Sequence, residues 1–232
     1  GPSCALAYWI DGADPQAPHI RLRVWAGTQN PHVLRRDLAT LMQIADTEVD
    51  VVRMEAAGCY GRNGADDVAA DAALLKCTRC TRLAAFLAQV RKDHPDYHAR
   101  PVLPFGVAAP KLLIVGLAPG MHGANRTGRP FTGDYAGILL YKTLHKHGFA
   151  NQPEGAEPDD GLKLKHCRIT NAVKCLPPEN KPLPDEVKRC NSYLQSEILA
   201  LPKAISLLAL GLVSHQAILR ALGHKVSAFP FS

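Results

Sequence analysis

Apolar residues along the chain fall into short continuous runs and longer periodic ones. Lys111 to Val115 (KLLIV) is almost wholly apolar and stops at Gly116, the pattern of a strand buried on both faces. Cys167 to Val173 (CRITNAV) and Ala204 to Leu210 (AISLLAL) read the same way. Between these runs, Asp134 to His147 carries apolar residues at helical spacing and is closed by Gly148. Pro184 to Leu199 and Val213 to Leu222 read as two further helices. Alternating strands and helices predict an α/β domain with a mainly parallel sheet. Ligands of such sheets bind beyond the carboxyl ends of the strands, where the Gly-rich stretch Leu117 to Gly133 (LAPGMHGANRTGRPFTG) falls. Asn151 to Gly161 (NQPEGAEPDDG) is a polar loop.

The first 75 residues have a different texture and predict a small α+β part. Leu34 to Ala45 (LRRDLATLMQIA) has helical periodicity and Val49 to Met54 (VDVVRM) reads as a strand. A Gly-rich turn, Ala57 to Gly64, leads into an Ala-rich helix, Asp66 to Leu75, with Asp66 and Asp67 where a helix N-terminus favours negative charge. There is no internal repeat and no low-complexity tract.

Charge sharpens this division. Residues 1–75 hold 6 Lys and Arg against 10 Asp and Glu, whereas residues 76–232 hold 21 against 11. The second part is therefore basic, as a phosphate-backbone partner requires, although many basic domains are simply soluble. At 47% hydrophobic and 21% charged residues, the composition is that of a soluble globular protein. No run reaches the roughly 18 apolar residues of a membrane helix. The opening residues lack the basic region of a secretory signal, which predicts a cytoplasmic protein without membrane contact. Gly1-Pro2 reads as a protease scar or as the start of a fragment.

Three constellations carry candidate chemistry. Of the seven cysteines, Cys77 and Cys80 form C-x-x-C, and further on Cys175 and Cys190 are separated by 14 intervening residues. Seven is odd, which argues against a disulfide framework. Four thiolates suit a [4Fe–4S] cluster or a structural zinc, and a set of separately buried thiols is the plainer alternative. Cys4, Cys59 and Cys167 read as ordinary buried thiols. The second constellation is the Gly-rich loop. Its glycines allow close approach to a ligand, Arg126 and Arg129 offer charge for an anion, and Phe131 offers a flat ring on which a base can stack. The third is Asn171 at the end of a strand, whose amide presents a donor and an acceptor together and so matches a nucleobase edge. A solvated loop, a core Phe and a structural Asn are the corresponding bland readings.

Together these residues resemble the family 5 uracil-DNA glycosylases. Gly116 to Gly137 (GLAPGMHGANRTGRPFTGDYAG) is similar to that family's first motif, Arg168 to Cys190 (RITNAVKCLPPENKPLPDEVKRC) to its second conserved block, and Lys76 to Leu83 (KCTRCTRL) to its opening. The resemblance spans residues 76–232 and implies a three-layer uracil-DNA glycosylase-like fold. It implies a [4Fe–4S] cluster on Cys77, Cys80, Cys175 and Cys190. It further implies that Phe131 stacks on an extruded uracil and that Asn171 reads its edge. Gly116, Leu117, Ala118, Pro119 and Asn125 then form the wall near the sugar, with Ala118, Asn125 and Asn171 as the catalytic positions. Ala118 stands where better-known uracil glycosylases carry a water-activating Asp or Asn. The implied reaction is hydrolysis of the N-glycosidic bond of uracil, and of other deaminated bases, in DNA, by a monomer working in base-excision repair in a bacterial or archaeal nucleoid.

Two departures from the family pattern qualify this. The family continues with another strand, a His-containing DNA-facing motif and a closing helix, whereas this sequence ends at Ala228-Phe229-Pro230-Phe231-Ser232. The expectation is a domain without those elements. An alternative is therefore a catalytically incomplete DNA-binding fragment. Residues 1–75, through GPSCALA, WAGTQNPHVLRRDLA and AGCYGRNGADDVAADAALL, resemble instead a fragment of the large subunit of molybdenum hydroxylases. This suggests a fused or misassembled reading frame, and a molybdenum hydroxylase fragment is the third reading of the chain.

Overall fold

The computed structural model describes residues 5–10, 17–28, 31–54, 71–201 and 204–231. The chain divides into two compact units, Gly1–Cys77 and Thr78–Ser232.

In the first unit, β1 (Ala5–Trp9) runs antiparallel to β2 (Leu22–Ala26), and β2 runs parallel to β3 (Val49–Arg53). Helix α1 (Pro31–Met42) forms the crossover between the two parallel strands. Leu22, Val24 and Ala26 alternate inward and are buried, as are Leu34, Leu38, Leu41 and Met42 of the helix. The helix and strand expected at Leu34 to Ala45 and Val49 to Met54 are these elements, shifted by up to three residues. Residues 71–75 are helical. The expected turn at Ala57 to Gly64 and the start of the following helix, with Asp66 and Asp67, lie outside the described residues, as do Cys4 and Cys59.

The second unit is built on a four-stranded sheet in the order β4-β6-β5-β7. Its strands are β4 (Phe105–Gly106), β5 (Leu112–Gly116), β6 (Cys167–Asn171) and β7 (Ser206–Ala209). β5, β6 and β7 are parallel, and the two-residue β4 is antiparallel to β6. The helices are α2 (Thr81–Asp93), the single turn α3 (Ala124–Thr127), α4 (Tyr135–Lys146), α5 (Pro184–Ala200) and α6 (Leu212–Ala221).

Side-chain alternation along the strands sorts these helices into layers. Ile114 and its register partner Ile169 share one face with Cys167, and Tyr141 and Leu144 of α4 pack there with Ala150, Leu162 and Leu164. Thr170 points to the opposite face, where Lys174 links it to Glu197 of α5. α5 is tied to α6 through Asn191, which donates to the Ala217 carbonyl at 2.8 Å. The result is a three-layer α/β unit with a mainly parallel sheet. Asp134 caps α4 by accepting the Gly137 N–H at 2.9 Å, and Gly148 adopts φ 78° past the helix end, the left-handed stop that its sequence position suggests.

Candidate functional site

Strand register assembles the first part of the site. Gly116 and Asn171 end adjacent parallel strands as register partners. The ladder continues beyond them, with Ala172 donating to the Gly116 carbonyl at 2.8 Å and Val173 to the Leu117 carbonyl at 2.9 Å. Gly116 is the floor of a tight cradle. A methyl group added there would lie 2.6 Å from Asn171 Oδ1 and 2.6 Å from the Phe131 ring, so only hydrogen fits between them. Asn171 is buried, at 3% exposure. The structure thus brings Gly116, Phe131 and Asn171 together at the carboxyl ends of the strands, where a parallel sheet receives its ligand.

The Gly-rich loop around this cradle is more ordered than its composition suggests. It contains the turn α3, closed by Gly128 at φ 75°. Asn125, on that turn, is fully buried; its Nδ2 donates to the Met121 carbonyl at 3.4 Å and its Oδ1 has no partner among the described residues. Leu117 and Ala118 are half-buried and Pro119 is buried. Asp134 presses against the glycines of the loop, since a methyl group at Gly123 would lie 2.5 Å from its Oδ2.

The arginines of the loop are not the anion ligands that the sequence suggests. Arg129 is buried and makes a two-point ion pair with Asp160, at 2.9 and 2.7 Å, while its Nε donates to Thr132 Oγ1 at 2.6 Å. Its guanidinium also lies over the Phe105 ring, 5.1 Å from the centroid. Arg126 pairs with Glu157 at 2.9 Å. The acid-rich loop Asn151 to Gly161 therefore neutralises both charges and braces the Gly-rich loop from outside. The Arg129 guanidinium holds the Asp160 carboxyl well below its ordinary value, from 3.8 to about 2, with the Leu162 and Glu157 N–H groups helping against burial. The charge signature for this brace is present in the sequence as EGAEPDD. The partners stand 31 residues apart, however, and no local rule joins them.

Sequence reading also misses Tyr141. It is fully buried, and its hydroxyl donates to the Pro130 carbonyl at 2.6 Å. Burial pushes its phenol up to about 12.

Of the four cysteines of the expected ligand set, Cys77 falls at the end of the first unit and Cys80, Cys175 and Cys190 in the second. Cys80 is the N-cap of α2, Cys175 follows β6, and Cys190 is buried on α5. Cys190 Sγ accepts the N–H of Lys174, the residue before Cys175, at 3.3 Å. The arginines flanking Cys80 both grip α5, on either side of Cys190. Arg82 makes a two-point pair with Glu186 at 2.8 and 2.7 Å, and Arg79 donates to Ser192 Oγ at 2.9 Å. Burial alone would raise the Glu186 carboxyl, but Arg82 and the Leu183 N–H outweigh it and the net shift is downward. Next to Cys175, Lys174 is completely buried and pairs with Glu197 at 2.7 Å. Among the described residues, no group of three or more His, Cys, Asp or Glu side chains is arranged to hold a metal ion. Cys167 stands apart in the core under α4, as expected of an ordinary buried thiol.

Residues 103–230 match the uracil DNA glycosylase superfamily. The chain is 44% identical over 163 residues to the type-5 uracil-DNA glycosylase of Thermus thermophilus, covering 68% of this chain and 74% of that protein. It is 42% identical over 161 residues to the type-5 enzyme of Pyrobaculum aerophilum, covering 67% and 70%. A separate 75-residue match, 57% identical, is to one of the subunits of the nicotinate dehydrogenase of Pseudomonas putida; it covers 32% of this chain but only 6% of that protein. No helix among the described residues is long and apolar enough to cross a membrane. The strand-end cradle, the loop around it and the extent of the match make this chain a member of the uracil DNA glycosylase superfamily.

Proposed function

We propose that the chain is a uracil-DNA glycosylase of base-excision repair, which hydrolyses the N-glycosidic bond of uracil extruded from DNA. The observation that carries this reading is the convergence of the Phe131 ring and the Asn171 amide on Gly116. A planar base needs a stacking surface and an in-plane donor–acceptor pair, and the buried Asn171 amide beside Gly116 is the group suited to supply the second. The neighbouring Gly116 to Pro119 backbone forms the wall beside the sugar. Ala118 carries no acid–base group, so the rate derives chiefly from electrostatics. Fixed donors stabilise the departing uracil anion while water meets an oxocarbenium-like sugar. Asn125, whose buried Oδ1 has no partner among the described residues, is the nearby side chain suited to accept a hydrogen bond from that water.

Cys77, Cys80, Cys175 and Cys190 would hold a [4Fe–4S] cluster. Four soft sulfur donors match it, and the main-chain N–H on Cys190 Sγ is the kind of donor that stabilises a cluster thiolate. Bound there, the cluster supplies structural cross-linking rather than chemistry at the sugar. The enzyme would act as a monomer on DNA, with the basic balance of residues 76–232 favouring the backbone. The 1–75 stretch is a fragment of oxidoreductase ancestry joined to the glycosylase and has no part in the reaction.

The test is uracil release from a labelled single-uracil duplex by protein purified without oxygen. Release above that of a Phe131→Ala control supports the reading. No release from protein that binds the duplex would support a DNA-binding fragment instead.

A further inference from the structure

Phe131 has φ 56°, a left-handed backbone that a bulky residue adopts only when its surroundings impose it. Those surroundings are polar and buried on both sides. The preceding carbonyl, of Pro130, receives the Tyr141 hydroxyl at 2.6 Å. The following residue, Thr132, is fully buried, and its Oγ1 receives Arg129 Nε at 2.6 Å. Arg129 is itself locked by its two-point pair with Asp160 and by a bond to the Pro158 carbonyl at 3.1 Å. The Phe131 carbonyl lies against the Cα of Gly137, where a methyl group would collide with it. The peptide units on either side of Phe131 are thus anchored to the middle of α4, to its first turn and to the 151–161 loop. Together these anchors hold the backbone on both sides of Phe131, whose ring lies against Gly116.

We propose that Tyr141 and the Arg129–Asp160 pair are positioning residues that preset the Phe131 ring for the extruded base, and that they influence catalysis only through Phe131. This rests on the glycosylase reading above. Burial pushes the Tyr141 phenol up to about 12, so at neutral pH it is protonated and donates to the Pro130 carbonyl. Arg129 acts here as a fork rather than as a point charge, a role that lysine cannot fill.

The experiment is a double-mutant cycle read by single-turnover uracil release, with duplex affinity and iron content measured alongside. Tyr141→Phe removes one oxygen and keeps the core ring. It should slow release about tenfold, as expected when a reacting group is slightly misplaced, while duplex affinity stays within about twofold. In a Phe131→Ala background, the same substitution should change release by less than about twofold, because the residue it acts through is gone. An equal loss in both backgrounds overturns the proposal, as does unchanged release in Tyr141→Phe alone. If Tyr141→Phe does not fold, Asp160→Asn takes its place in the cycle with the same criteria. A Phe131→Ala protein that releases uracil at the parental rate overturns the stacking role, and the inference falls with it. A parental protein that releases none overturns the glycosylase reading itself.

Discussion

The strand-end cradle and the cysteine region of the second unit are held in contrasting ways. Gly116 and Asn171 meet because two parallel strands are in register, and Phe131 is fixed by bonds within residues 129–160. The thiols come from three or more segments. They are approached through long-range side-chain contacts, Arg79 to Ser192 across 113 residues and Arg82 to Glu186 across 104. A site built on register is preorganised by the fold, whereas a site gathered by distant partners is organised with whatever it binds. The cradle should therefore respond to small changes of shape, and the cysteine region to changes of ligand.

Four substitutions or conditions test this contrast, the largest effect first. Gly116→Ala puts a methyl group where no space exists and should cut single-turnover uracil release by about a hundredfold or more, with duplex binding kept. Near-normal release would mean that the cradle is not where the base lies. Phe131→Ala removes stacking worth roughly 1–3 kcal/mol, so release should fall about five- to 150-fold while phosphate contacts persist. Equal losses of release and of duplex affinity, with a lowered melting point, would indicate a folding defect.

On the other side of the comparison, Cys175→Ser should lower stability by about 2 kcal/mol, roughly 4–8 °C of melting temperature. It should also lower bound iron, since four thiolates tie distant segments. Unchanged melting with unchanged iron would remove Cys175 from the ligand set. The smallest effect is the pH dependence of the loop brace. Asp160 is depressed in the folded state, from 3.8 to about 2, so its contribution is fully present above pH 4 and disappears as the pH falls towards 2. Asp160→Asn should flatten that part of an acid-melting profile; a profile identical to the parent's would show that the Arg129 pair adds nothing.

Much of the second unit is legible in its sequence because buried parallel strands are short, apolar and closed by glycine or a polar end. The expected run Lys111 to Val115 is the strand Leu112–Gly116, and Asp134 to His147 contains the helix Tyr135–Lys146. Helix α2 escapes sequence reading although Leu83, Leu87 and Val90 carry its buried stripe, because Cys80 caps it in place of Ser or Asp. β4 escapes because two residues have no period. In β1, Leu6 and Tyr8 point outward at 62% and 59% exposure, so its apolar residues do not mark a buried face. At the candidate site, Phe131 and Asn171, the residues proposed to meet a base, are readable from loop and strand-end chemistry. The residues that hold them, Tyr141 and Asp160, are not, because their partners lie in other elements.

The interior position of Cys167 has a practical corollary. Its sulfur faces the Phe149 carbonyl at 3.6 Å, no surface reaches it, and burial pushes its thiol up to about 11. At mildly alkaline pH it is neither ionised nor accessible, so an alkylating reagent should leave it unmarked while half-exposed Cys77, Cys80 and Cys175 react once stripped of any ligand. Peptide mapping after alkylation would then read two clocks in one sample: modification at the half-exposed positions timing ligand loss, and modification at Cys167 timing the opening of the core under α4.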